Sequence, residues 1–270
     1  YDQIARKLPW RETKDPYAIW LSEVMLQQTQ VATVKPYYTR FLEKYPTMTA
    51  LAKAPLEDIL KLWEGLGYYS RARNFHKGVQ WVVREHDSQL PNQWDNLRKI
   101  PGIGNYTAGA LLSIAYNQAV PAIDGNVIRV MSRIWGMKED MGQEKSKQRL
   151  AQELQPWIPK ERPGDFNQAL MELGALVCKP LTPDCIHCPV STLCKAYQEK
   201  RPHQYPVKKQ KPKPQLTPVA VGLIRYEKSF LLHQQLHKNL FKGLWCFPFI
   251  FYETQPEQTL QSHLQHDFNF

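Results

Sequence analysis

The sequence predicts a mainly α-helical protein with a smaller mixed α/β piece at its C-terminal end, and three observations carry that expectation. Apolar residues recur at three- and four-residue spacing in one segment after another from Tyr17 to about Lys195, with no strand-like alternation between them. A stretch rich in proline and lysine breaks the pattern at 199–214. Beyond it, short β-branched and aromatic runs are separated by polar, turn-like residues.

Taken in order, the helical periodicity covers 17–34, 55–63, 71–84, 107–116, 127–135 and 166–177. The stretch EKRPHQYPVKKQKPKP (199–214) holds four prolines, six basic residues and one acid, a composition that stays extended and cannot bury a core. Strand-like runs follow at 219–225 and 230–234, around Tyr226-Glu227-Lys228-Ser229, and at 244–252. The expected organisation is a helical domain over 1–198, a basic Pro-rich linker over 199–217 and an α/β piece over 218–270. At about 53 residues the last is short for independent folding and reads as the start of a longer domain.

With 43% hydrophobic and 22% charged residues the chain of 270 is globular in composition, neither disordered nor fibrous. Its net charge of +10 points to an acidic partner such as nucleic acid, although solvated lysines alone would give the same number. Half of that excess lies in the linker and half before it. No apolar run approaches the roughly 18 residues of a membrane span, and the first ten residues lack a signal-peptide core. The expectation is an unsecreted cytoplasmic monomer, nucleoid-associated in a bacterium, with no membrane partner.

Four of the five cysteines, Cys178, Cys185, Cys188 and Cys194, form C-x6-C-x2-C-x5-C within seventeen positions. That is metal arithmetic rather than a disulfide framework, and four thiolates suit tetrahedral zinc or a [4Fe–4S] cluster equally on spacing alone. His187, inside the hook, is expected at the surface. Ile100 to Gly109, between two helical segments, places Gly102 and Gly104 where backbone N–H groups can converge on a phosphate at the start of a helix. An ordinary glycine-rich helix connection has the same look. Tyr68 and Tyr69 sit in a glycine loop, as core anchors or as wedges for a base stack, with Arg71 and Arg73 close enough in sequence to reach phosphate.

Two carboxylates stand out. Glu23 has Ile19, Trp20, Leu26 and Gln27 three and four residues away, so on a helix it lies on a mostly apolar face, the setting of a general acid held protonated near neutral pH. Asp124, in Asp124-Gly125-Asn126-Val127, precedes a helix. As a plain N-cap it needs no further role, yet a helix N-terminus also keeps a carboxylate ionised to face a developing cation.

The segments LPWR (8–11), WLSEVMLQQTQV (20–31), LWEGLGYYSRARN (62–74), IPGIGNYTAG (100–109), DGNVIRV (124–130), FNQALMELGALVC (166–178) and the cysteine spacing resemble, in order from Leu8 to Cys194, the adenine DNA glycosylases of the MutY type in the endonuclease III superfamily. The resemblance implies a helix-hairpin-helix glycosylase fold, a [4Fe–4S] cluster in preference to zinc, and excision of adenine mispaired with 8-oxoguanine or guanine in double-stranded DNA. It assigns Glu23 as the acid that protonates the adenine ring, Asp124 as the carboxylate that stabilises the cationic sugar, and Asn126 as the residue that orients the site. Gln27, Gln28 and Tyr68 correspond to residues that probe the duplex. Arg6, Trp10, Arg11, Leu26 and Gln168 correspond to the adenine pocket, and Gly102 and Gly104 to the phosphate-holding hairpin. Tyr106 stands where strand-cleaving relatives carry lysine, so a monofunctional enzyme is implied. The segment Gly243 to Pro248 resembles the start of a Nudix-like domain without its glutamate-rich box. Thymine-mismatch glycosylases, endonuclease III-like pyrimidine glycosylases and a non-catalytic DNA-binding module are the competing readings; Glu23 and the Nudix-like start weigh against the first two, and Glu23 with Asp124 against the third.

Overall fold

In the computed structural model, which describes residues 1–3, 5–208, 216–235, 243–252 and 254–268, helix α1 (Pro16–Leu26) starts where the Asp15 carboxylate accepts the Tyr17 N–H at 3.0 Å and Pro16 fills the first turn. Such a cap is worth about 1 kcal/mol. Nine of the eleven residues of α1 are buried, so it is apolar nearly all round and runs through the core.

The continuous periodicity over 17–34 is divided in the structure. The chain turns at Gln27 and at Gln28, whose φ is +58°, before α2 (Val31–Lys44). Arg71 causes the break to hold. Its guanidinium donates to the carbonyls of Val24 (2.9 Å), Met25 (2.8 Å) and Gln27 (2.5 Å) and to Thr29 Oγ1 (3.1 Å), satisfying the acceptors that a helix end leaves open. Arg71 is 9% exposed, which corrects the expectation that it reaches phosphate. The sequence shows a basic helix start. It does not show that the carbonyls of α1 need a cation.

The helices continue as α3 (Met48–Ala52), α4 (Leu56–Leu62), α5 (Ser70–Glu85), α6 (Trp94–Lys99), α7 (Asn105–Ile114), α8 (Gly125–Trp135), α9 (Glu144–Leu154), α10 (Pro163–Leu176) and α11 (Lys195–Gln198). The elements absent from the periodicity are short or polar, as α3, α6 and α9 are. All lie in one compact unit, Tyr1–Lys209. Its larger core surrounds α1, where Trp20 meets Phe75 edge-on at 4.8 Å and Phe41 contacts Trp63 and Phe75 at 6.4 and 6.3 Å. A smaller core joins Val127, Val130 and Met131 of α8 to Leu150 and Leu154 of α9. Met171 on α10 packs against both.

The second unit, Gln210–Phe270, contains three antiparallel ladders among its described residues. β1 (Val219–Val221) pairs with β6 (Phe249–Phe251), Val219 opposite Phe251. β2 (Arg225–Tyr226) pairs with β3 (Ser229–Phe230) across the expected turn, and β4 (His233–Gln234) pairs with β5 (Trp245–Cys246). The run 244–252 is interrupted at Phe247-Pro248, and a helix, α12 (Pro256–Phe268), packs on β1 and β6. Of the linker lysines Lys208 is exposed, while Lys209, Lys211 and Lys213 fall outside the described residues. No helix among the described residues is long and apolar enough to cross a membrane.

Candidate active site

A cavity of about 1580 Å³ opens among α1, the hairpin before α7, the N-terminus of α8, α9 and α10. All fourteen residues expected on its catalytic, base-binding and DNA-binding sides line it: Arg6, Trp10, Arg11, Glu23, Leu26, Gln27, Gln28, Tyr68, Gly102, Gly104, Tyr106, Asp124, Asn126 and Gln168.

Glu23 projects from the last half of α1 and is 6% exposed. Burial pushes its pKa from 4.5 up to about 7, against the pull of a hydrogen bond donated by the Tyr106 hydroxyl to Oε2, and the negative charge of Asp124 pushes the same way as burial. The apolar neighbours along the helix made this shift legible in advance. Tyr106, on the first turn of α7, is half-buried with its hydroxyl turned inward, 3.7 Å from Met171 Sδ as well as against Glu23. Burial and the two carboxylates hold the phenol protonated.

Asp124 caps α8, accepting the Val127 N–H at 2.7 Å through Oδ1 and the Asn126 side-chain amide at 2.7 Å through Oδ2. Its pKa moves upward, because burial outweighs those two bonds, the Asn126 N–H and the charge of Arg129. The helix terminus thus opposes the shift without reversing it, which corrects the expectation drawn from the cap alone. Asn126 is itself held, since Arg129 donates to its Oδ1 at 2.8 Å and to the carbonyls of Gly174 (2.8 Å) and Cys178 (2.7 Å). Gly174 allows α10 to come that close, for a Cβ there would stand 2.6 Å from the Asn126 Cβ.

Arg6 and Arg11 converge on Glu172 of α10. Arg6 places Nε at 2.6 Å and Nη2 at 2.9 Å from its two oxygens, and Arg11 Nη2 lies at 2.7 Å. Glu172 is 4% exposed, and although burial would raise its pKa, the two guanidiniums hold it down at about 2. No sequence signal pointed to Glu172, because its partners lie about 160 residues away. Trp10 is buried against Tyr38, ring centres 5.3 Å apart, and Gln168 is 8% exposed.

At the cavity mouth Tyr68 is 61% exposed with φ +48°, beside Gln28 in the same left-handed region. On the hairpin, Gly102 has φ +85°, which side chains rarely adopt, and a Cβ on Gly104 would meet nothing within 4 Å. The backbone of the α7 N-terminus is therefore open to an approaching anion.

The four cysteines form no disulfide, and all four border one small cavity walled by Val130, Ile134, Leu173, Val177 and Val190. Among the described residues, no three His, Cys, Asp or Glu side chains are gathered so as to hold a single metal ion. Burial raises the pKa of Cys185 and Cys188, and the neighbouring thiols add to it. Arg133 donates to Cys178 Sγ at 3.3 Å and to the carbonyls of Lys179 (2.7 Å) and Pro180 (2.9 Å), so a cation already faces this segment. Four soft donors around an apolar hollow, with a guanidinium to offset their charge, fit a group that binds thiolates. His187 is exposed and contacts Asp184 at 2.9 Å.

Residues 21–160 match the family model described as HhH-GPD superfamily base excision DNA repair protein. The chain is 49% identical over 207 residues to an adenine DNA glycosylase of Rattus norvegicus, covering 73% of this chain and 40% of that protein. To an adenine DNA glycosylase of Buchnera aphidicola subsp. Schizaphis graminum it is 39% identical over 243 residues, 90% of this chain and 70% of the relative. Among solved structures, a thermostable thymine-DNA glycosylase superposes with a TM-score of 0.66 at 29% identity, covering 72% of this chain and 89% of that one. An endonuclease III trapped as a covalent intermediate with DNA gives 0.61 at 26% identity, covering 73% and 88%.

Proposed function

The chain belongs to the adenine DNA glycosylases, within the HhH-GPD superfamily of base excision DNA repair proteins, and on that footing we propose that its cavity hydrolyses the N-glycosidic bond of adenine mispaired with 8-oxoguanine or guanine in duplex DNA. The chain spans less than half the length of its mammalian relatives, so the activity is proposed for the residues at hand.

The observation that carries the reading is the unequal pair of carboxylates. Glu23 has one neutral donor, Tyr106, whereas Asp124 has three donors and the charge of Arg129 beside it. Asp124 therefore ionises first, and its charge helps keep Glu23 protonated. In the proposed reaction Glu23 gives its proton to a ring nitrogen of the extruded adenine as the bond to the sugar breaks. Asp124 faces the oxocarbenium-like sugar, as an ion pair or by brief covalent capture, and water completes the hydrolysis. Asn126 fixes the Asp124 carboxylate by its amide, and Arg129 fixes Asn126.

Gln27, Gln28 and Tyr68 act at the duplex where the adenine leaves the stack, a step costing a few kcal/mol. Arg6, Trp10, Arg11, Leu26 and Gln168 receive the base, and the hairpin at Gly102 and Gly104 takes phosphate. Tyr106 offers no amine for a Schiff base, which supports base removal without strand cleavage. Cys178, Cys185, Cys188 and Cys194 would hold a [4Fe–4S] cluster whose contribution is structural, locking the loop after α10. The helical unit followed by a basic linker and the start of a Nudix-like domain, of the kind that helps recognise 8-oxoguanine, completes the proposed organisation.

Duplexes bearing A·8-oxoG, A·G, T·G or thymine glycol, incubated with the protein and then treated with alkali, test the reading. Cleavage is expected only at adenine and only after alkali. Release from T·G or thymine glycol in place of adenine would overturn it.

A further inference from the structure

Of the six methionines, Met25, Met131, Met137 and Met141 are buried, whereas Met48 and Met171 are partly accessible. Met48 begins α3 and does not border the cavity. Met171 lines the cavity, its sulfur stands 3.7 Å from the Tyr106 hydroxyl, and its side chain closes the seam between the two cores.

We propose that Met171 is a modification site within the active site: a peroxide that enters the cavity converts it to the sulfoxide, and this uncouples Tyr106 from Glu23. The sulfur lone pair attacks one oxygen of hydrogen peroxide, forming the S–O bond as the O–O bond breaks. The sulfur is oxidised by two electrons, the peroxide is reduced by two, and the second oxygen leaves as water with both protons.

The geometry makes the change consequential. A thioether is a weak acceptor, so the single Tyr106 proton goes to Glu23. A sulfoxide oxygen is a strong, polar acceptor on the same side of that hydroxyl and competes for the proton, leaving Glu23 without its donor. The same oxygen also brings polarity into an apolar seam, where burial without a partner is costly. Oxidation of Met48 would touch none of these groups.

The inference rests on the glycosylase reading, since adenine release is one of its readouts, so a second readout is independent of it. The iron-loaded protein is treated with graded hydrogen peroxide and quenched, and oxidation at each methionine is mapped by peptide mass spectrometry. Single-turnover adenine release from an A·8-oxoG duplex is measured in parallel, before and after methionine sulfoxide reductases A and B, with M48L and M171L treated alongside. Met48 and Met171 are expected to oxidise ahead of the other four. Release should fall more than about tenfold in the unmutated protein and in M48L, a part of the 10²- to 10⁴-fold that a positioned acid contributes. The reductases should restore it, and M171L should keep its own untreated rate. Oxidation of Met171 no earlier than the buried methionines, a Met171 sulfoxide with unchanged release, or equal loss in M171L would each overturn the proposal. If M171L does not fold, reductase reversal in M48L decides, because there Met171 is the partly accessible methionine that remains and these enzymes do not repair damaged thiolates. An untreated protein that releases no adenine would refute the glycosylase reading, and the peptide map would still decide whether Met171 is the site.

Discussion

Glu23 and Glu172 lie in one cavity and are buried almost equally, at 6% and 4% exposure, yet one is held near pKa 7 and the other near 2. Burial pushes both upward. The difference lies in what faces them: Glu23 has one neutral hydroxyl, while Glu172 has two guanidiniums and the Arg6 N–H. Arg11 is near enough to lower the pKa of Glu23 slightly, but its hydrogen bond goes to Glu172. Burying a carboxylate is not sufficient to make an acid at neutral pH. The cations must also be engaged elsewhere, and Glu172 engages them.

The strongest way to break this contrast is Glu23→Gln, which keeps the shape and removes the proton. Adenine release in single-turnover assays should fall by at least about 10²- to 10⁴-fold with mismatch binding retained. Substantial residual turnover would take Glu23 out of the acid role.

Removing the other glutamate should act on stability first. Glu172→Ala leaves two partly buried guanidiniums unpaired and is expected to cost about 3 kcal/mol by denaturant unfolding at pH 7, at the low end for a broken buried pair because Arg6 is one-third exposed. The pKa of Glu172 is depressed, so its contribution is present above its ordinary 4.5 and is lost as pH falls toward about 2. The gap between the variant and the unmutated protein should therefore close over that window. A gap independent of pH would mean that packing, and not the ion pairs, is what was lost.

Tyr106→Phe sharpens the contrast by removing the one donor to Glu23. That bond favours the charged form, so without it the Glu23 pKa rises further. Activity that requires protonated Glu23 declines as pH rises through about 7 in the unmutated protein. In the variant the decline should move to higher pH by about one unit, the size of a hydrogen bond to a charged group, while the plateau below it falls about tenfold, the loss also expected when the Met171 sulfoxide takes that donor away. An unmoved limb in the pH dependence of kcat/KM would separate Tyr106 from the titration.

The remaining effect concerns folding and leaves the chemistry aside. Glu23 has a raised pKa, so its burial carries no penalty below 4.5 and the full penalty above about 7. Glu23→Gln should be more stable than the unmutated protein by about 3 kcal/mol at pH 8, the full cost of a shift from 4.5 to about 7, less whatever the buried amide itself costs, and close to it at pH 4.5. Equal melting temperatures at both pH values would argue that the ionised side chain finds solvent.

The same contrast separates what was legible in the sequence from what was not. Glu23 was readable because its burial is written in residues three and four positions away on one helix. The partners of Glu172 come from before α1 and leave no local trace. Arg71 misled for a related reason. A basic residue at a helix start looks like a phosphate ligand, and only the folded chain brings the carbonyls of Val24, Met25 and Gln27 to it. The six periodic helices persist in some form, with 17–34 divided in two, whereas polar α9 and the helix α12 carried too little apolar rhythm to be found.

The clamp between Arg6, Arg11 and Glu172 closes a loop of some 160 residues. Contacts of such range form late, because the chain entropy of closing the loop must be overcome before the contact stabilises anything. During synthesis from the N-terminus, the segment with Arg6 and Arg11 emerges long before α10. Until Glu172 arrives, Arg11, the cation that lowers the pKa of Glu23, has no carboxylate of α10 to engage it. The setting that keeps Glu23 protonated thus depends on a residue about 150 positions further along the chain, and a chain that carries Glu23 and Asp124 but not yet Glu172 lacks the partner that draws Arg11 away.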